Sequence, residues 1–126
     1  MVLKIYGFPT STCTRRVGVI CEELNIPYEV VVVNLPKGEQ KLPAYLEHQP
    51  FGLVPYVVDE DGYELYESRA IARYLAAKHG SSLLPDVSDI ASWGKFEEAA
   101  SVEQSNFDFP ASALAAELVF RPYVTR

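Results

Sequence analysis

Cysteine is scarce in this chain, with two in 126 residues, too few to build a disulfide scaffold, so a reducing compartment is expected. Neither sits in a Cys-x-x-Cys pair. Three residues after Cys13 comes Arg16, which argues against a dithiol redox cycle. Long apolar runs are also missing. No segment approaches the roughly 20 residues that a helix needs to cross a bilayer. The first twenty residues, interrupted by Lys4, Pro9, Arg15 and Arg16, hold no secretory-type stretch. A cytoplasmic protein is expected. Positive charge is in deficit, 11 Lys and Arg against 17 Asp and Glu for a net charge of −6. That balance excludes the broad basic face a nucleic-acid or anionic-membrane partner needs, although Arg15, Arg16, Lys37 and Lys41 could form a local basic spot. Repeats and low-complexity tracts are absent. His48 and His79 are isolated and expected at the surface, and no metal cluster, phosphate loop or Ser-His-Asp set is recognisable.

What is present is a chain of 48% hydrophobic residues, long enough to bury about two-thirds of its unfolded surface in one domain. Val2 to Tyr6 reads as a short strand stopped by Gly7 and Pro9. Cys13, Val17, Ile20, Cys21 and Leu24 recur at helical spacing, and Asn25-Ile26-Pro27 ends the run. Tyr28 to Val33 is β-branched and almost continuously apolar, as expected of a strand buried on both faces. Strand, helix, strand at this spacing makes a parallel pair. Leu35 to Gln40 reads as a loop and Lys41 to His48 as a short helix. Tyr56-Val57-Val58 and Tyr63 to Tyr66 flank Asp61-Gly62, a strong hairpin signal. Ser68 fits the N-cap of a helix through Ile71, Tyr74, Leu75 and Lys78 that ends at Gly80. The order βαβ-α-ββα is the thioredoxin-like α/β arrangement. A further helical region begins near Ser88 with Ile90, Trp93, Phe96, Ala100 and Phe107, is broken at Pro110, and resumes over Ala111 to Phe120. Its apolar stripes need more partners than these segments supply.

Three places carry chemistry. Ser11 lies where a strand end meets a helix start, and fits an N-cap that satisfies a first-turn amide. The same hydroxyl can donate to a bound thiolate at the positive end of the helix dipole. A free thiol of pKa roughly 8.5 falls toward or below neutral in such surroundings. Cys13 is the rival nucleophile, but it shares a stripe with Val17, Ile20 and Cys21 and is expected to be buried and inert. Val54-Pro55 precedes a strand, either as a plain turn or as a cis-proline that presents the backbone of Val54 to an extended peptide. Glu67-Ser68 opens a helix, either as an ordinary cap or as a carboxylate site on the Ser68 hydroxyl and first-turn amides. In the second case Glu67 would pair with an ammonium group, as a zwitterionic amino-acid head requires. Gln40-Lys41 reads as a solvated loop in which Lys41 could grip a second carboxylate.

Phe8-Pro9-Thr10-Ser11-Thr12-Cys13-Thr14-Arg15-Arg16-Val17, Pro50-Phe51-Gly52-Leu53-Val54-Pro55 and Leu65-Tyr66-Glu67-Ser68-Arg69-Ala70-Ile71 together resemble the cytosolic glutathione transferases, most nearly the phi-like and fungal classes. The similarity runs through residues 1–80 and more weakly through Asn106-Phe107-Asp108 and Leu114 to Phe120. The resemblance implies a thioredoxin-like glutathione-binding domain over 1–80, a linker over 81–87 and a partial all-helical domain over 88–126, since members of the family usually continue through several more helices. It implies conjugation of glutathione, as co-substrate with no tightly bound cofactor, to a hydrophobic electrophile. Ser11 is then the thiol-activating residue, Gln40 and Lys41 hold the glycine carboxylate, Val54 before Pro55 pairs with the cysteinyl backbone, and Glu67 and Ser68 bind the γ-glutamyl head. Phe8, Leu35 and Phe107 would line the electrophile pocket. Gln40 stands where related plant enzymes often carry histidine and Leu53 where many carry glutamine. A homodimer is expected, with Phe51 as an aromatic anchor in the partner or, equally, packed within its own loop. Two alternatives remain beside conjugation: a non-catalytic glutathione-binding or regulatory module, and a Cys13-based thiol-disulfide oxidoreductase.

Overall fold

The computed structural model describes residues 2–121. The chain divides into two compact units, the first ending at Leu83 and the second starting at Leu84. In the first unit the elements are β1 (Leu3–Gly7), α1 (Thr12–Glu23), β2 (Tyr28–Val32), α2 (Pro43–Leu46), β3 (Tyr56–Val58), β4 (Glu64–Tyr66) and α3 (Ser68–Lys78). The strands form one sheet in the order β2-β1-β3-β4, with β1 parallel to β2 and antiparallel to β3, and β3 antiparallel to β4. This is the thioredoxin-like mixed sheet expected from the order of elements.

Side chains alternate across a strand, so each strand serves two cores. Leu3 and Ile5 of β1 and Val57 of β3 pack with Val17 and Cys21 of α1, Ile26, and Ile71 and Leu75 of α3. Tyr56 of β3 turns to the other face, where it meets Val33 and Tyr45 of α2, with Tyr6 and Tyr66 packed alongside. Tyr6 stacks on Tyr56 with ring centroids 4.5 Å apart. Ile71 and Leu75 are fully buried, and each contributes roughly 1.5–3 kcal/mol by leaving water. At the end of β1 a side chain on Gly7 would meet Thr14 Oγ1 at 2.5 Å, so glycine lets the strand end close onto α1.

Several sequence expectations are corrected. The second strand is not buried on both faces: β2 is an edge strand and Val32 is mostly exposed. Its apolar run reflects β propensity and one-sided packing. The core-facing stripe of α1 takes Thr14, Val17 and Cys21, leaving Cys13 half-buried one position to the side. His48 is not isolated: its Nδ1 lies 2.7 Å from Glu64 Oε2 and its ring stacks on Tyr56. The Leu35 to Gln40 loop contains two tight 3₁₀ turns, Leu35–Lys37 and Glu39–Lys41, hinged at Gly38.

In the second unit α4 (Ile90–Val102) is capped by Asp89, whose side chain accepts from Ser92 N at 3.1 Å. Pro110 does not break the helix. The path widens into a π-helical stretch over Glu103–Asp108, continues as α5 (Phe109–Ala115) and widens again over Ala116–Phe120. The first widening lies directly before Pro110, where the missing N–H interrupts the regular ladder, and a π turn absorbs that gap without ending the helix. Ile90, Phe107, Phe109, Leu118 and Phe120 are largely exposed. The expected helical region over 88–126 includes residues 122–126, which lie outside the described residues.

Candidate functional site

Strand register assembles the site. Gly7 of β1 pairs with Val32 of β2, and Tyr6 of β1 with Tyr56 of β3. Tyr56 in turn pairs with Tyr66 of β4. The chain therefore leaves β1 and β2, enters β3 and leaves β4 all at one end of the sheet. The segments that follow or precede those strand ends are Phe8 to Ser11, Val33 to Lys41, Gln49 to Pro55, and Glu67-Ser68. Every site residue expected in the first unit lies in one of them. Phe107 belongs to the second unit, where it is exposed.

Ser11 is the N-cap of α1, and its Oγ accepts from Thr14 N at 3.3 Å. The first intrahelical bond runs from Arg15 N to Ser11 O, so the amides before it remain outside the ladder. The hydroxyl acts as an acceptor in the cap, which leaves its proton available to a ligand. Thr14 Oγ1 accepts from Phe8 N at 3.2 Å and ties the preceding turn to the helix.

The Val54–Pro55 peptide bond is cis. The turn before it is held by Gln49, which is almost fully buried and whose Oε1 accepts from Phe51 N at 2.8 Å and Leu53 N at 3.2 Å. Tyr45 Oη donates to Leu53 O at 2.6 Å. Lys41 Nζ donates to Phe51 O at 3.1 Å and so joins the loop after β2 to this turn. Gly52 has φ +61°, and a side chain there would meet Lys41 Nζ at 2.7 Å and Gln40 O at 2.9 Å. Only glycine fits both the left-handed backbone and the close approach. Gln40 Oε1 is buried with no hydrogen-bond partner. A buried amide oxygen without a partner is an acceptor that lacks a donor.

Ser68 is not the N-cap of α3, as the sequence had led us to expect. It is the first helical residue, and the cap position falls to Glu67, which makes no side-chain cap bond. Glu67 adopts φ +73°, a left-handed backbone that costs a non-glycine residue about 1–3 kcal/mol and concentrates at functional sites. Ser68 is buried, and its Oγ accepts from Arg16 Nη1 at 2.6 Å. With the first α3 bond running from Ile71 N to Glu67 O, the start of this helix is a second set of unladdered amides.

Burial pushes the Tyr45 phenol up to about 12 and the Tyr56 phenol higher still, so neither exchanges a proton near neutrality. Burial, with Glu22 and Asp59 nearby, raises the Cys21 thiol to about 11, which makes it inert. A depression of about 760 Å³ in the first unit is lined by Val2, Cys21, Glu22 and Ile26 among others. It involves none of the expected site residues. Among the described residues no group of His, Cys, Asp and Glu could hold a metal ion, and no helix is long and apolar enough to cross a membrane.

Sequence reasoning missed Arg16, Gln49 and the backbone of Glu67 as parts of this arrangement. Gln49 and Gly52 lie in the quoted Pro50 to Pro55 neighbourhood, and a glycine one residue past an aromatic in a turn was their only signal.

Comparison with known proteins follows the same segments. The family model described as "Glutathione S-transferase, N-terminal domain" matches residues 10–78. Glutathione S-transferase PM239X14 of Arabidopsis thaliana is 54% identical over 123 residues, 95% of this chain and 56% of that protein. The crystal structure of glutathione transferase F7 from Populus trichocarpa superposes with a TM-score of 0.89 at 33% identity, over 99% of this chain and 59% of that one. Glutathione S-transferase-I, solved with lactoylglutathione bound, superposes with a TM-score of 0.88 at 27% identity, over 98% of this chain and 58% of that one. The chain spans little more than half the length of the relatives it matches.

Proposed function

We propose, from the premise that this chain belongs to the glutathione S-transferase family, that it binds glutathione at the common end of the sheet and transfers its sulfur to a hydrophobic electrophile. The observation that supports this most directly is the convergence of two helix N-termini, each with a hydroxyl acting as an acceptor, beside the cis Val54–Pro55 turn. An extended tripeptide with a carboxylate at each end and a thiol between them matches that layout.

In this reading the γ-glutamyl carboxylate takes the Ser68 hydroxyl and the first amides of α3, and Glu67 pairs with the γ-glutamyl ammonium. The backbone of Val54 pairs with the cysteinyl residue. The glycine carboxylate takes Lys41 and the side-chain amide of Gln40. The thiol then sits at the start of α1. There the Ser11 hydroxyl donates to the sulfur, and with the helix dipole favours the thiolate. The thiolate attacks an electrophilic carbon and a C–S bond forms as the leaving group departs with its electron pair, or as an activated alkene takes up a proton. No tightly bound cofactor enters the reaction. Phe8 and Leu35 supply apolar surface for the electrophile. Residues 1–80 form the glutathione domain, 81–87 a linker, and a helical region begins at 88. The protein works in the cytoplasm as a homodimer.

Isothermal titration with glutathione, followed by a conjugation assay on an aryl halide, tests the proposal. Saturable binding with turnover above the uncatalysed rate is expected. No binding refutes it, and binding without turnover assigns a glutathione-binding module instead.

A further inference from the structure

Arg16 has no part in the reading above, yet it is the residue that joins the two helix starts. It lies one turn into α1, and helical side chains lean back toward the N-terminus, so its guanidinium reaches the first turn. There Nη1 is 3.7 Å from Cys13 Sγ and donates to Ser68 Oγ at 2.6 Å, across 52 residues of sequence. Both side chains are withdrawn from water, Arg16 partly and Ser68 almost wholly. Charge-assisted hydrogen bonds of this length are among the stronger contacts in a protein.

A serine hydroxyl has one proton and two lone pairs. Within a helix that proton commonly returns to the carbonyl four residues back. For Ser68 that residue is Glu64 in β4, outside the helix, so the usual acceptor is not there. With Arg16 occupying a lone pair, the hydroxyl is fixed as a donor directed away from the guanidinium. An arginine in this position also polarises the O–H bond and adds positive charge beside the amides of α3.

We propose that Arg16 is a positioning residue: by holding Ser68 Oγ as an acceptor it commits the Ser68 proton to the γ-glutamyl carboxylate of bound glutathione. Arg16 acts through Ser68 and does not touch the ligand. The inference rests on the glutathione reading above, and it assigns recognition of one carboxylate to a contact between α1 and α3.

The test compares two ligands on three proteins by isothermal titration. The ligands are glutathione and γ-aminobutyryl-cysteinyl-glycine, which lacks only the γ-glutamyl α-carboxylate. The proteins are the wild type, Arg16→Gln and Arg16→Lys. In the wild type, removing the carboxylate raises Kd about tenfold, the scale of one hydrogen bond to a charged group. In Arg16→Gln the glutathione Kd rises several-fold while that of the analogue changes less than twofold, so the carboxylate penalty shrinks to what the α3 amides alone supply. Arg16→Lys, which keeps the charge without the planar fork, retains a penalty of only a few-fold. A change that merely loosens the fold weakens both ligands alike and leaves the penalty intact, and that result overturns the proposal. If Arg16→Gln does not fold by circular dichroism, an undiminished penalty in Arg16→Lys overturns it equally. A wild type that binds neither ligand removes the glutathione reading itself. A wild type that binds and discriminates, with variants that discriminate to the same extent, removes the role of Arg16 alone.

Discussion

Replacing Ser11 by alanine separates its two roles. As a cap, Ser11 makes one bond, to Thr14 N at 3.3 Å, which is long for an N–H···O contact. Loss of an N-cap side chain costs about 0.5–2 kcal/mol, and a bond this long belongs near the lower end. For a unit of this size, 1 kcal/mol lowers Tm by about 4–8 °C. The thiolate role has a different signature. A hydrogen bond to a charged group contributes about 1.5–3 kcal/mol, and each pKa unit corresponds to about 1.36 kcal/mol. Ser11→Ala therefore raises the pKa of the bound thiol by about one to two units. At pH below both pKa values the thiolate population, and kcat/KM with it, falls about ten- to a hundredfold. The sign is definite: the group ionises later, so the rate profile moves to higher pH, and variant and wild type converge where both are fully ionised. Ser11→Thr keeps the hydroxyl and keeps most of the rate. The assay is kcat/KM for aryl-halide conjugation across pH, with thermal melts on the same samples. A Ser11→Ala profile that falls equally at every pH, or does not shift, refutes thiolate stabilisation by this hydroxyl and leaves Ser11 as a cap.

Two further outcomes can be measured. Asp59 is buried and accepts from Tyr74 Oη at 2.6 Å and Lys78 Nζ at 2.7 Å, which secures the second half of α3 to the end of β3. Burial acts to raise its pKa, but the hydrogen bonds from Lys78 and Tyr74 outweigh it and hold the carboxyl below its usual range. Asp59→Asn should cost about 1–3 kcal/mol in urea unfolding at neutral pH. Because the folded pKa is depressed, that difference is full above the ordinary carboxylate range and closes as pH falls through the lowered value; a gap independent of pH contradicts the assignment. Phe51 is 64% exposed, touching only the edge of Tyr66 among the described aromatic contacts. If it anchors a partner, Phe51→Ala weakens a dimer at least tenfold in sedimentation equilibrium, and a monomeric wild type at micromolar concentration ends the idea.

The sheet was legible because its signals are local. The Val2 to Tyr6 run stopped by Gly7 and Pro9, the Asp61-Gly62 turn and the helical spacing of Val17 and Cys21 each depend on a few neighbouring residues. Where an expectation failed, the deciding contact was distant. The apolar run Tyr28 to Val32 says that β2 is a strand, but only the neighbour it lacks makes it an edge. Pro110 would end an isolated helix, and the preceding π-helical stretch that accommodates it leaves no mark in composition.

The same distinction orders the candidate site. Ser11 could be recognised because a cap and an anion site ask for the same residue, next to the same strand end. Ser68 was chosen for the same reason, and of its two readings the capping one fails. The left-handed turn at Glu67 advances the helix start by one position, so the serine hydroxyl is released from capping and is met instead by Arg16. Gln40 reads as solvated because its neighbours are polar, yet its amide oxygen is buried. Residue types thus mark which segments can bind an anion, while contacts between segments decide which hydroxyl proton remains to do it. That is why a substitution at Arg16, which lies outside the expected set, is a sharper probe of the carboxylate site than a substitution at Ser68. Removing the Ser68 hydroxyl abolishes the donor under any account, whereas changing Arg16 alters binding of that one carboxylate only if the donor's direction is set from α1.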